Sequence, residues 1–93
     1  MDNEELLIKV KIGLGITGDY QDETLKLYID EAKQYMLSAG VPKSIIDSPI
    51  SVGTITKGVL DLWNYGSGDS TLSQYFKERC IQLREKEEQA NDL

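Results

Sequence analysis

The apolar residues Leu25, Tyr28, Ile29, Ala32, Tyr35, Met36 and Ala39 recur at steps of 3, 1, 3, 3, 1 and 3. That rhythm sets them along one side of an α-helix and fits neither face of a strand. The run is bounded at both ends. Asp19 reads as an N-cap with Asp22 three residues on, while Gly40 and then Pro42 mark the stop, because Gly accepts the left-handed conformation that closes a helix and Pro cannot continue one. No strand-like alternation or internal repeat competes with this signal, so helix-on-helix packing is the economical way to bury the stripe.

Shorter signals complete the pattern. Leu6, Leu7, Val10 and Leu14 predict a first helix over about residues 4–12, interrupted by Gly13, Gly15 and Gly18. Ser44-Ile45-Ile46-Asp47 fits one helical turn, and Ser48-Pro49 reads as an N-cap with Pro in the first helical position. The helix that follows has Val52, Ile55, Val59, Leu62 and Trp63 on its apolar face. Gly53 and Gly58 interrupt it, each at a cost of about 1 kcal/mol relative to Ala. They call for a reason, either close approach of a neighbouring helix or a hinge. Gly66-Ser67-Gly68-Asp69-Ser70 predicts a flexible turn, beyond which Leu72, Phe76, Cys80 and Leu83 step by 4, 4 and 3.

From Arg84 the chain has almost no apolar residue, so a helix there runs into solvent or frays unless something docks on it. The expected architecture is all-α: a compact bundle of about four helices with a short extra turn between the second and third. It divides into a helical domain over residues 1–83 and a polar C-terminal tail over residues 84–93. With 93 residues the chain supports one core only.

Charge narrows the partners. Ten Lys and Arg against sixteen Asp and Glu give a net charge of −6, which opposes any broad phosphate-binding surface. Acidity removes the gain from counterion release without forbidding proximity, so such a protein can surround DNA and let it slide. The acidic start Met1-Asp2-Asn3-Glu4-Glu5 lacks the basic residues of a signal peptide. No apolar run approaches the ~18 residues of a membrane span, so no membrane association is expected. A single cysteine, Cys80, rules out an intrachain disulfide and gives no sign of an oxidising compartment, so synthesis in the cytosol is expected.

The sequence offers little for catalysis. Histidine is absent, which removes the usual near-neutral acid–base group and the commonest metal ligand. Cys80 lies on the apolar stripe of its helix, where core packing is expected in place of reactivity. The glycine runs match neither phosphate-binding fingerprint. Asp19, Asp22 and Glu23 lack the spacing of a calcium loop and suit a helix start. No cofactor, metal site or enzymatic activity is expected.

Contact residues are better candidates. Trp63 and Tyr65 close the third helix and Tyr75 and Phe76 open the fourth, which predicts an aromatic cluster at that corner, buried in the core or shared with a neighbour. Leu27, Leu60 and Ile81 fall off the cleanest apolar stripes and are either isolated exposed residues or subunit contacts. Arg84, at the start of the polar tail, joins this group.

Taken together, the residues resemble the phage head-tail connector family of small helical adaptor proteins. The likeness is carried by Leu6-Leu7, Val10 and Leu14-Gly15-Ile16, then by Asp22-Glu23-Thr24-Leu25, Ile29, Ala32 and Tyr35-Met36. Above all it is carried by Asp61-Leu62-Trp63-Asn64-Tyr65, Gly66-Ser67-Gly68 and Tyr75-Phe76-Lys77-Glu78-Arg79. It covers about residues 6–84. The resemblance implies a virion subunit without covalent chemistry, one that repeats a heterologous contact into a ring of about twelve copies. It further implies that the ring sits under the portal after DNA packaging and receives the next head-completion or tail-proximal protein. The tail after Leu83 would reach toward the portal, while DNA passes through without specific binding.

Two other classes share the composition. A small phage-encoded regulatory protein-binding module fits the acidity and the helices equally well. An acyl-carrier-like protein would carry a modified serine, and Asp69-Ser70-Thr71-Leu72 is a loose echo of its motif, late in the chain and with Thr71 inserted.

Overall fold

A computed structural model describes residues 1–66 and 71–91, with side chains from residue 87 onward left aside. Among the described residues there are five α-helices and no strand: α1 (Asn3–Leu14), α2 (Asp22–Ser38), the single turn α3 (Lys43–Ile46), α4 (Val52–Tyr65) and α5 (Gln74–Asn91). A 3₁₀ turn, Pro49–Ser51, leads into α4, and the Ser48 side chain caps it by accepting from the Ile50 amide at 3.3 Å. The all-α expectation holds, including the extra turn between the second and third long helices.

The two ends of the long stripe behave differently. At its C-terminus Gly40 has φ 91°, its amide donates to the Leu37 carbonyl, and the Val41 amide reaches back to Met36, both at 3.0 Å. Val41 and Met36 are buried together, so the reversal that satisfies the last carbonyls also seals the core. At the N-terminus the expected Asp19 cap does not form. The helix starts at Asp22, Gln21 holds the cap position without a side-chain bond, and Asp19 is exposed. Asp22 instead receives Lys11 Nζ at 2.7 Å, joining the end of α1 to the start of α2. Each charge also sits at the helix end whose dipole favours it.

Helix α4 is the centre of the bundle and packs against α1, α2 and α5. Its Ile55, Val59 and Leu62 are fully buried, as are Leu25, Ala32 and Met36 from α2 and Phe76, Cys80 and Leu83 from α5. Gly58 makes this possible. A Cβ there would lie 2.7 Å from Phe76 Cε2 and 3.1 Å from Ala32 Cβ, so glycine is what lets α2 and α5 close on α4. Close packing, not a hinge, accounts for that residue.

Helix α5 crosses Leu83 and Arg84 without a break. The difference between body and tail therefore lies in side-chain character and not at an element boundary. Residues 67–70 of the predicted flexible turn lie outside the described residues, as does Ser70 of the carrier-like motif. The tail expectation is described only as backbone helix to Asn91.

Candidate functional site

The corner between α4 and α5 is built on a buried carboxylate. Asp61 is 2% exposed and lies one turn after Lys57, whose Nζ approaches its Oδ1 at 3.1 Å. Its Oδ2 accepts the Ser73 amide at 2.9 Å. Ser73 in turn caps α5, its Oγ accepting from the Phe76 amide at 3.2 Å. Thr71 Oγ1 donates to the Gly66 carbonyl at 2.8 Å and closes the same corner. Burial pushes the Asp61 carboxyl up, but the hydrogen bonds from Ser73 and the bond and charge of Lys57 together hold it below its ordinary value. Sequence reading missed this residue, because an aspartate between apolar positions of a helix reads as solvent-facing.

Two tyrosines flank this staple in water. Tyr65, one turn beyond Asp61, is 72% exposed, and Tyr75, two residues beyond Ser73, is 60% exposed. The single aromatic cluster expected at this corner is not formed. Trp63 is half-buried and meets Tyr28 edge-on at 6.3 Å, while Phe76 is buried and meets Tyr35 at 5.5 Å. Tyr28 and Tyr35 lie two turns apart on one edge of α2, and each draws one ring away from the corner. The Lys77 ammonium lies 5.9 Å from the Tyr35 ring centroid.

The remaining predicted contact residues are scattered. Leu27 is 69% exposed on the outer side of α2, and Ile81 is 42% exposed on α5. Leu60 is half-buried on the back of α4, a strip with Gly53, Lys57 and Asn64 that none of the packed helices covers fully. Arg84 turns inward: Nη1 donates to the Ala39 carbonyl at 3.3 Å, and its Cδ lies 2.9 Å from where a Gly40 Cβ would be. It braces the end of α2 against α5.

Exposed apolar residues also occur at positions that the helical spacing did not single out. Ile8 and Ile12, one turn apart on the side of α1 away from Leu6, Leu7 and Val10, are 58% and 74% exposed, and Tyr20 is 93% exposed. The signal was available only by subtraction: once the α1 core stripe is fixed, both isoleucines lie opposite it.

Among the described residues the one cysteine is not placed for reactivity. Cys80 is buried and burial raises its thiol to about 11, so it carries almost no thiolate at neutral pH. Among the described residues no cluster of Cys, Asp and Glu could hold a metal ion, and no helix is long and apolar enough to cross a membrane. A cleft of about 270 Å³ between the start of α1 and α2 is lined by Asn3, Glu4, Lys26, Ile29 and Asp30, and its Lys26 is paired with Glu23 at 3.4 Å. The exposed rings and isoleucines lie on a braced helical body.

Against known proteins, the family described as phage gp6-like head-tail connector protein matches residues 4–83, from the first turn of α1 to the last core residue of α5. No curated protein matches the chain, and no solved structure does.

Proposed function

This chain belongs to the phage gp6-like head-tail connector family, and from that premise we propose that it is a ring-forming virion subunit joining the portal of the head to the tail once DNA is packaged. Members of the family are structural phage proteins of the head–tail junction, where they meet other head and tail proteins. The observation that carries the reading is the match over residues 4–83, which takes in every helix that contributes to the core.

In this reading about twelve copies repeat one heterologous contact around a channel. The portal lies on one side of the ring and the next head-completion or tail-proximal protein on the other. Leu27, Leu60, Trp63, Tyr65, Tyr75 and Ile81 are contact residues for the proteins on either side of the ring, with the exposed rings of Tyr65 and Tyr75 as the best anchors. The net charge of −6 suits a passage through which DNA slides without being held. Assembly takes place in the bacterial cytoplasm. The polar end of α5 docks on the portal, and Arg84 serves the body as a brace, so the docking part starts beyond it.

The test is light scattering of the purified chain over a concentration range, alone and with a portal ring, beside a chain truncated after Lys86 so that the Arg84 brace remains. Ring-sized mass, or co-migration with the portal that needs the tail, is the expected result. A small species that ignores the portal throughout would sink the reading and favour a regulatory protein-binding module.

A further inference from the structure

We propose that a second copy of this chain seats the Ile8–Ile12 ridge of its α1 on the back of α4 at Gly53. The proposal rests on the ring reading and names the two surfaces that repeat around it.

Among the described residues three glycines lie inside helices, Gly13, Gly53 and Gly58. Two have a reason within the chain: a Cβ on Gly13 would lie 2.7 Å from Thr56 Cγ2 where α1 meets α4, and Gly58 admits Phe76 and Ala32. Gly53 has none. Among the described residues a Cβ there meets nothing within 4 Å, and its φ is not positive. Alanine would serve the isolated subunit better, since glycine weakens a helix by exposing backbone and freeing the unfolded chain. What glycine provides is a notch in an uncovered strip, one turn from Lys57 and close to the 43% exposed Ile50, with half-buried Leu60 two turns further along. A notch of this kind lets a side chain from outside reach the backbone closely.

The same chain carries a ridge that fits. Ile8 and Ile12 are ~6 Å apart along α1, the same rise that separates Gly53 from Lys57 along α4. With Ile12 in the notch, Ile8 lies over the methylene stem of Lys57, and Glu4, one turn earlier, faces its ammonium beside Glu5, which is paired with Lys9 at 3.4 Å. Lys57 is bonded to Asp61 but its side chain is 33% exposed, so it has donors left for a second carboxylate. On a chain of net charge −6 most approaches of two copies set acid against acid. This approach sets acids against a cation, which selects it among the alternatives. Ridge and notch are different surfaces, so each docked copy keeps one of each free, and the contact propagates until it closes.

The experiment uses the full chain at concentrations where the parent assembles, with the portal ring added where needed. Gly53→Ala is expected to raise the melting temperature of the isolated subunit by about 2–6 °C and to weaken assembly at least about tenfold. Ile12→Glu spoils the ridge and Gly53→Glu spoils the notch, both at exposed positions, so each variant alone should remain monomeric. Their mixture retains one intact ridge facing one intact notch and should stop at a two-subunit species. Undiminished assembly of Gly53→Ala, a fall in its melting temperature, or a mixture that stays monomeric overturns the inference while leaving the connector reading in place if the parent forms rings. A parent that stays monomeric with and without the portal overturns both.

Discussion

Removing the carboxylate of Asp61 is the most direct test of how the α4–α5 corner is held. In Asp61→Ala the Ser73 amide loses the acceptor it reaches at 2.9 Å, and Lys57 loses the oxygen at 3.1 Å. A partly buried donor left without a partner costs about 1–3 kcal/mol, and a half-shielded ion pair contributes about 1 kcal/mol or less. The expected loss is therefore about 1–4 kcal/mol from a total stability on the order of 5–15 kcal/mol. For a domain of this size that lowers the melting temperature by about 5–20 °C. Asp61→Asn keeps an oxygen for the Ser73 amide and gives up only the charge, so it should fall between the parent and Asp61→Ala.

The same group makes a pH prediction. Its folded pKa lies below the ordinary 3.8, so the stabilisation it gives is fully present above that value and is lost as pH falls through the folded pKa. Thermal melts followed by circular dichroism should thus show the gap between parent and Asp61→Asn to be constant from pH 7 to about 5 and to narrow below about 4. A melting temperature for Asp61→Ala within 2 or 3 °C of the parent, or a gap that does not narrow in acid, would refute the argument that this carboxylate holds the corner.

Other consequences are open to simple measurement. Gly58→Ala places a Cβ 2.7 Å from Phe76 and should cost about 1–3 kcal/mol by overpacking, so a chemical-denaturation midpoint equal to the parent's would contradict the packing described. Thr54 is 3% exposed and its hydroxyl has no hydrogen-bond partner among the described residues; Thr54→Val should therefore be neutral or stabilising by up to about 1–2 kcal/mol, and a clear loss in the same assay would reveal a partner for that oxygen. Cys80, buried with its thiol raised to about 11, should resist thiol reagents at pH 7 in the native protein and react once it is unfolded. Fast native labelling would mean that α5 opens readily.

The features legible in the sequence are those that a single helix decides for itself. Leu25, Ile29, Ala32 and Met36 are buried because their spacing alone puts them on one side, whatever packs there. The stop at Gly40 needs only a left-handed residue followed by an apolar one. The corner aromatics were not legible in this way. Trp63, Tyr65, Tyr75 and Phe76 are close in the chain order of the bundle, yet Tyr28 and Tyr35 on α2 take Trp63 and Phe76. A choice among ring partners is settled between helices, and no spacing rule within one helix ranks them.

Asp61 shows the same limit from the polar side. Read along α4 it is one charge between Leu60 and Leu62, and a charge at such a place is ordinarily at the surface. It can be buried because Ser73, 12 residues later, brings an amide to it, a bond that exists only after α5 has folded back onto α4. The carboxylate and the interhelical turn thus require each other. Without the return of α5, Asp61 would carry a desolvated charge with Lys57 alone, and without Asp61 the first residues before α5 would lack an acceptor that their burial demands. That mutual requirement places the exposed Tyr65 and Tyr75 on either side of one fixed point, so their placement depends on a residue that is itself buried. A variant that loosens Asp61 should accordingly weaken any contact made through the two tyrosines even under conditions where the bundle remains folded. A contact unaffected by Asp61→Asn would show that the tyrosines are placed by α4 and α5 separately.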